Sequence, residues 1–292
     1  MIQSKLVNSP RVWLMKNFPR IYVVAARAAT IGMFREEKKA YLGNLAPTTD
    51  EESVLHFCYN RCGSRYISTV IQKLLSHRDI QHVDYAGYFT HTNQARLEEL
   101  SDPKAIKKLV LPAGFHYGPF YWFLEGLPES EKRKTILTLR DPRDVLTSRF
   151  YSQAYAHTIF KQSAVDRRQR VREMGIDSFV LKECDEIIAR YSRYQQKLLN
   201  RENVLWLPYE EMVLNFDSWL QKLSKFLEVP SDHPSVLEVK AAATFQVKKE
   251  DKFSHRRSVK PGNHVQKLKP ETVEELNGRL SEVMSQFGYS TK

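Results

Sequence analysis

Cysteine is scarce in this chain: three in 292 residues, at Cys58, Cys62 and Cys184. That number excludes a disulfide framework, and pairing Cys58 with Cys62 would distort the loop they flank. A reducing compartment follows, and the expected location is cytoplasmic. Long apolar runs are also missing. The most apolar N-terminal stretch, residues 12–34, is interrupted by Lys16, Pro19, Arg20 and Arg27, whereas a spanning helix wants about 20 mostly apolar residues. An export signal would carry its charges before the apolar run, not inside it. Acidic residues are outnumbered, 34 against 45 basic ones, leaving a net charge of +11 that favours anionic partners. Neither an internal repeat nor a low-complexity tract interrupts the chain. The glycine- and lysine-bearing loop G-x-x-x-x-G-K-[ST] is absent, as is an acidic magnesium site, which counts against a nucleotide kinase.

What is present fits one domain of α/β type. Hydrophobic residues make up 42% and charged residues 27% of the chain, the balance of a globular protein with a substantial core. The Pro47-Thr48-Thr49-Asp50 break divides an N-terminal extension, residues 1–52, from a domain over 53–292. Eight Lys/Arg stand against two acidic residues in the first 45 positions. The extension is expected to pack on the domain as a basic amphipathic segment. Peripheral contact with anionic lipid is the second expectation.

One stretch organises the rest. Val54-Leu55-His56-Phe57-Cys58-Tyr59 reads as a buried strand, and Ile67, Val70, Ile71, Leu74 and Leu75 recur at the spacing of one helical face. Between them lies the short basic loop Asn60-Arg61-Cys62-Gly63-Ser64-Arg65. A loop entering a helix N-terminus presents unpaired N–H groups and the positive end of the helix dipole, a setting for an anion. Arg61 and Arg65 add forked donors suited to phosphate or sulfate oxygens.

Further strands are predicted at Ile80–Tyr85, Leu109–Leu111, Thr135–Leu139 and Asn203–Leu207. Tyr88–Asn93 reads as a loop carrying His91, and Ala113–Pro119 as an irregular loop carrying His116. Amphipathic helices are predicted around Phe179–Leu198, Trp219–Leu227 and from Pro270 onward. Strands alternating with helices give a mostly parallel central sheet flanked by helices, with every strand's C-terminal end on one edge, where ligands bind. A second basic segment, Arg140-Asp141-Pro142-Arg143-Asp144-Val145-Leu146-Thr147-Ser148, follows the strand at 135–139 and opens a helix at its proline. Tyr209 offers a flat ring just past another strand.

Taken together, these segments resemble the sulfotransferases that use 3′-phosphoadenosine 5′-phosphosulfate (PAPS). The loop 60–66 is similar to that family's P-K-S-G-T-T-W segment, and 140–148 to R-N-P-K-D-V-x-x-S. Tyr209-Glu210-Glu211-Met212 is similar to Y-E-D-M. Arg257, Gly262-Asn263-His264 and Pro270-Glu271 resemble the family's C-terminal basic loop, G-D-W and following helix start. The departures are Arg61 for lysine, Cys62 for a small residue, Ser258 and Val259 for lysine and glycine, and His264 for tryptophan.

The resemblance implies a P-loop-like sulfotransferase fold, PAPS as donor, PAP (3′-phosphoadenosine 5′-phosphate) as product, and no metal. Arg61, Cys62, Gly63, Ser64 and Arg65 would line the 5′-phosphosulfate site. Arg140, Ser148 and Arg257 would hold the 3′-phosphate, and Tyr66 and Tyr209 would flank adenine. Arg61 would neutralise charge on the leaving phosphate. His116 is expected to be the base that deprotonates the acceptor, with Asp84 and His91 as the other candidates. The acceptor is expected to be a hydroxyl or amine of a small molecule, lipid or carbohydrate, with no nucleic acid partner. The competing non-enzymatic reading is a basic module for polyanions.

Overall fold

The computed structural model describes Phe18 and residues 32–92, 103–127, 129, 131–156, 162–245 and 259–290. The sheet has five strands: β1 (Val54–Cys58), β2 (Gln81–Val83), β3 (Phe115–Phe120), β4 (Thr135–Leu139) and β5 (Val204–Pro208). Their order is β2-β3-β1-β4-β5, and every neighbouring pair is parallel. The predicted parallel α/β sheet is what forms, and all five strands present their C-terminal ends to the same edge.

Side-chain alternation explains why both faces must be covered. Leu55 and Phe57 of β1 and Leu137 and Leu139 of β4 join one apolar cluster, while Val54 and Ile136 join the other. The second cluster is closed by helix α2 (Ser64–Leu75), whose Ile67, Val70, Ile71, Leu74 and Leu75 are all buried. Each such side chain contributes about 1.5–3 kcal/mol on burial. The same cluster takes Trp219, Leu220 and Leu223 of helix α10 (Phe216–Phe226).

The opposite face is covered by α3 (Tyr85–Thr92), α5 (Pro142–Tyr151), α7 (Ile176–Lys182), α8 (Cys184–Lys197) and α13 (Pro270–Gln286). The remaining helices are α1 (Arg35–Tyr41), α4 (Pro103–Leu109), α6 (Gln162–Met174), α9 (Tyr209–Leu214), α11 (Pro234–Ala242) and α12 (Asn263–Lys267).

Three local expectations are corrected. Leu109–Leu111 is not a strand: Leu109 ends α4, and the third strand is Phe115–Phe120, inside the segment expected to be a loop. Gly118 makes that strand possible, because a Cβ there would meet the carbonyl oxygen of His56 at 2.7 Å. Only glycine lets β3 lie this close to β1. Residues 88–92 are helical rather than a loop, as part of α3. The long helix expected over 179–198 is two helices, α7 and α8, meeting at Glu183.

Candidate functional site

The tips of β1 and β4 carry the two basic segments side by side, since these strands are hydrogen-bonded neighbours. After β1, Arg61 and Gly63 adopt left-handed backbone, with φ of 73° and 75°. This pair of turns swings the chain directly into α2. Gly63 is the N-cap and supplies no capping side chain. The first-turn N–H groups of α2 therefore face the loop with no local side-chain acceptor, together with the positive end of a 12-residue helix.

Ser64 shares a hydrogen bond of 3.2 Å with the Tyr121 hydroxyl at the tip of β3. Arg65 is exposed beside it. Cys62 turns its side chain into the core, and burial pushes its thiol up to about 12.

After β4, Asp141 caps α5 by accepting the Arg143 N–H at 2.9 Å, with Pro142 in the first turn. Arg143 is not a solvated charge. It forks onto both oxygens of Asp141 and reaches Asn277 at 2.6 Å and the Ser290 carbonyl at 2.8 Å, tying α5 to the C-terminal segment.

Arg140 is buried and held by Asp144 one turn later at 2.9 Å. Asp144 is the hub of this region. It also accepts the N–H groups of Gly262 and His264, each at 2.9 Å, and pairs with His264 Nδ1 at 2.8 Å. Burial alone would raise its pKa, but the His264 contacts and the Arg140 charge bring it to about 2. The Arg140 guanidinium lies 4.6 Å over the Tyr209 ring. The Tyr209 hydroxyl donates to the Val259 carbonyl at 2.9 Å. Arg140 Nε is buried with no partner among the described residues, a cationic N–H left for an acceptor.

The two segments are joined directly: Arg61 Nε donates to Ser148 Oγ at 3.1 Å. Tyr209 and Met212 close the junction from below, since a Cβ on Gly63 would sit 3.2 Å and 3.1 Å from them. Tyr66 is half-buried at the flank, edge-on to Phe245 at 5.5 Å and 6.4 Å from Phe216. Arg61, Gly63, Ser64, Arg65, Tyr66, Arg140, Ser148 and Tyr209 therefore share one edge of the sheet. Two cationic pockets with an orphaned guanidinium N–H and an uncapped helix start fit a ligand bearing two separated anionic groups. Arg257 and the side chain of His91 lie outside the described residues.

The three candidate bases are not equivalent. His116 is in β3, opposite Val54 at the start of β1. With a rise of about 3.3 Å per residue it sits roughly 13 Å below the strand tip. Its ring is buried between His82, Nδ1 to Nδ1 at 3.1 Å, and His56 at 6.3 Å between ring centres. Burial, then the neighbouring His82 and His56, holds its pKa well below the ordinary histidine value.

Asp84 is instead at the tip of β2, on the ligand edge. Burial raises its carboxyl to about 6, against the Gly87 N–H and the Arg65 charge. The charges of Asp84 and Arg65 both act on the Tyr121 hydroxyl that bonds Ser64. Sequence reading gave no role to Asp144, Phe245 or Glu37, and took Tyr121 only as part of an aromatic run that could wall the acceptor. Asp144 was findable as a carboxylate in the first turn of the helix that follows Arg140. Phe245 and Glu37 carry no motif.

The sulfotransferase domain family matches residues 51–288. The amine sulfotransferase of rabbit (Oryctolagus cuniculus) is 28% identical over 128 residues, 44% of this chain and 40% of that protein. The matched region thus spans less than half the length of that relative. Among solved structures, mouse sulfotransferase SULT7A1 complexed with PAP superposes with a TM-score of 0.51 at 18% identity, over 85% of this chain and 90% of that one. A retinol dehydratase in complex with androsterone and inactive cofactor PAP gives 0.46 at 16% identity, over 86% and 85%. With 238 of its residues matched end to end (51–288), the chain belongs to the sulfotransferase domain family.

Proposed function

We propose that this protein is a PAPS-dependent sulfotransferase acting on a hydroxyl or amine of a small-molecule, lipid or carbohydrate acceptor. The observation that supports the reading is the Arg61–Ser148 contact at 3.1 Å, which joins the two basic segments on one sheet edge. PAPS, when bound, supplies an activated sulfuryl group and leaves as PAP.

The residues divide the work. Arg140 and Ser148, with Arg257, bind the 3′-phosphate, and Asp144 keeps the Arg140 fork oriented. The start of α2, with Ser64 and Arg65, binds the 5′ end, and Tyr66 with Phe245 offers ring surface to the base. Arg61 neutralises charge on the departing phosphate without giving up its own proton, since a guanidinium stays charged.

Asp84 is our choice for the base. It sits on the ligand edge with its pKa near 6, ionised at neutral pH yet basic enough to accept the acceptor's proton. His116 is not, because it lies buried at the opposite end of β3. The three thiols are buried and unpaired, in keeping with a cytoplasmic, reducing setting. No described helix is long and apolar enough to cross a membrane, and lipid contact through the N-terminal segment, residues 1–52, stays an expectation.

The test is calorimetric titration with PAP, followed by transfer of radiolabelled sulfate from PAPS into a metabolite extract, with products identified by mass spectrometry. Saturable binding that is weakened by Ser148→Ala, with label appearing in discrete products, is the expected result. Salt-sensitive binding of any polyanion, indifferent to that substitution, would overturn the reading.

A further inference from the structure

Helix α1 precedes the family-matched residues 51–288, yet it reaches the ligand edge. It packs on both β2 and α3. Its Glu37 is a buried carboxylate in a segment otherwise rich in exposed charge. Burial first, and then the charges of Asp84 and Glu36, raise the Glu37 pKa, against N–H groups including that of Asp84. Glu37 Oε1 accepts the backbone N–H of Asp84 at 3.3 Å.

The Asp84 side chain is fixed from the other side. Its Oδ1 accepts the Gly87 N–H at 2.7 Å, capping the first turn of α3. Gly87 has no Cβ, and one placed there would collide with the Asp84 carboxylate and touch Phe34, which is buried just before α1. Asp84 is thus gripped through its N–H by Glu37 and through one oxygen by Gly87. That leaves Oδ2 as the atom free of protein hydrogen bonds among those described.

We propose that Glu37 is a positioning residue for Asp84: its carboxylate accepts the Asp84 backbone N–H and so holds that residue at the end of β2. This rests on the reading of Asp84 as the base. The groups facing Asp84 are Glu37 from α1, Arg65 from α2, Cys58 from β1, Tyr121 beyond β3 and the Gly87 N–H from α3. Of these, Arg65 and the Gly87 N–H stabilise the Asp84 anion against burial. The Asp84 charge in turn raises Glu37, so Glu37 acts on Asp84 through the backbone N–H it accepts.

The experiment measures kcat and KM against pH for wild type, Glu37→Gln, Glu37→Leu and Asp84→Asn, with PAP affinity and melting temperature as controls. Glu37→Gln keeps an oxygen for the Asp84 N–H and is expected to retain the wild-type kcat and pH profile. Glu37→Leu deletes the acceptor, and is expected to lower kcat about tenfold while KM for PAPS and the affinity for PAP stay unchanged.

A purely structural Glu37 would lower the melting temperature of Glu37→Leu and Glu37→Gln alike, with no rescue of kcat by Gln, which overturns the proposal. If Asp84→Asn loses turnover while Glu37→Leu keeps the wild-type kcat, only the positioning role is lost. If Asp84→Asn retains full turnover, the assignment of the base fails, and this inference with it.

Discussion

Arg61 and Ser148 meet at 3.1 Å, Nε to Oγ, across the tips of adjacent strands β1 and β4. Neither residue touches the other in sequence, and each comes from a different basic segment. The contact ties the loop after β1 to the helix after β4. Ser148→Ala removes one hydroxyl from a half-buried helix surface and leaves the core untouched. It is expected to weaken PAP binding about tenfold, the worth of a hydrogen bond to a charged group, with little change in melting temperature. Isothermal titration against PAP reads the loss. Affinity equal to wild type would dissociate Ser148 from the nucleotide.

Gly63 carries two demands at once. Its φ of 75° belongs to the left-handed region, and any Cβ there would press on Tyr209 and Met212. Gly63→Ala therefore costs about 1–2 kcal/mol in backbone strain and displaces the ring beneath Arg140. Chemical denaturation should show the lost stability, and PAP affinity should fall with it. A variant as stable as wild type would mean that the loop relaxes without using the left-handed turn.

How much of this was legible beforehand depended on local signals. β1, β4 and β5 are continuous apolar runs, and β1 and β4 feed straight into charged loops, so their placement followed from pattern alone. Phe115–Phe120 was read as a loop because Gly118, Pro119 and a polar His116 break the strand pattern. Those residues are tolerated because β3 is packed tightly on β1 and its histidine is buried among histidines of its neighbours. Arg61, Ser64, Arg140 and Ser148 were named from their loop chemistry and the family resemblance, and the structure brings them to one sheet edge. Asp84 was named only as an alternative base and Glu37 not at all, because their placement depends on strand order. Only the β2-β3-β1 arrangement brings residue 84 to the same edge as residue 64.

The buried histidines give the chain a specific acid sensitivity. His56, His82 and His116 sit on three adjacent strands. His56 bonds Thr138 at 2.9 Å and Ser68 at 3.2 Å, and His82 meets His116 at 3.1 Å. Burial lowers His56 to about 3 and His82 to about 4, and holds His116 low as well. These values lie below the ordinary 6.5, so between pH 6.5 and about 4 the unfolded chain binds protons that the folded one refuses. Stability then falls as pH drops through that window, by about 1.4 kcal/mol per pH unit for each histidine held neutral. Urea unfolding at a series of pH values should show this slope above what the carboxylates contribute, and His82→Gln should flatten it. The same reasoning separates stability from chemistry. His116→Gln, assayed at low temperature where it is folded, is expected to lower the unfolding midpoint while keeping kcat within about threefold of wild type, since the ring lies roughly 13 Å from the strand tip. A collapse of kcat with the fold and PAP affinity intact would return the base to His116 and remove it from Asp84.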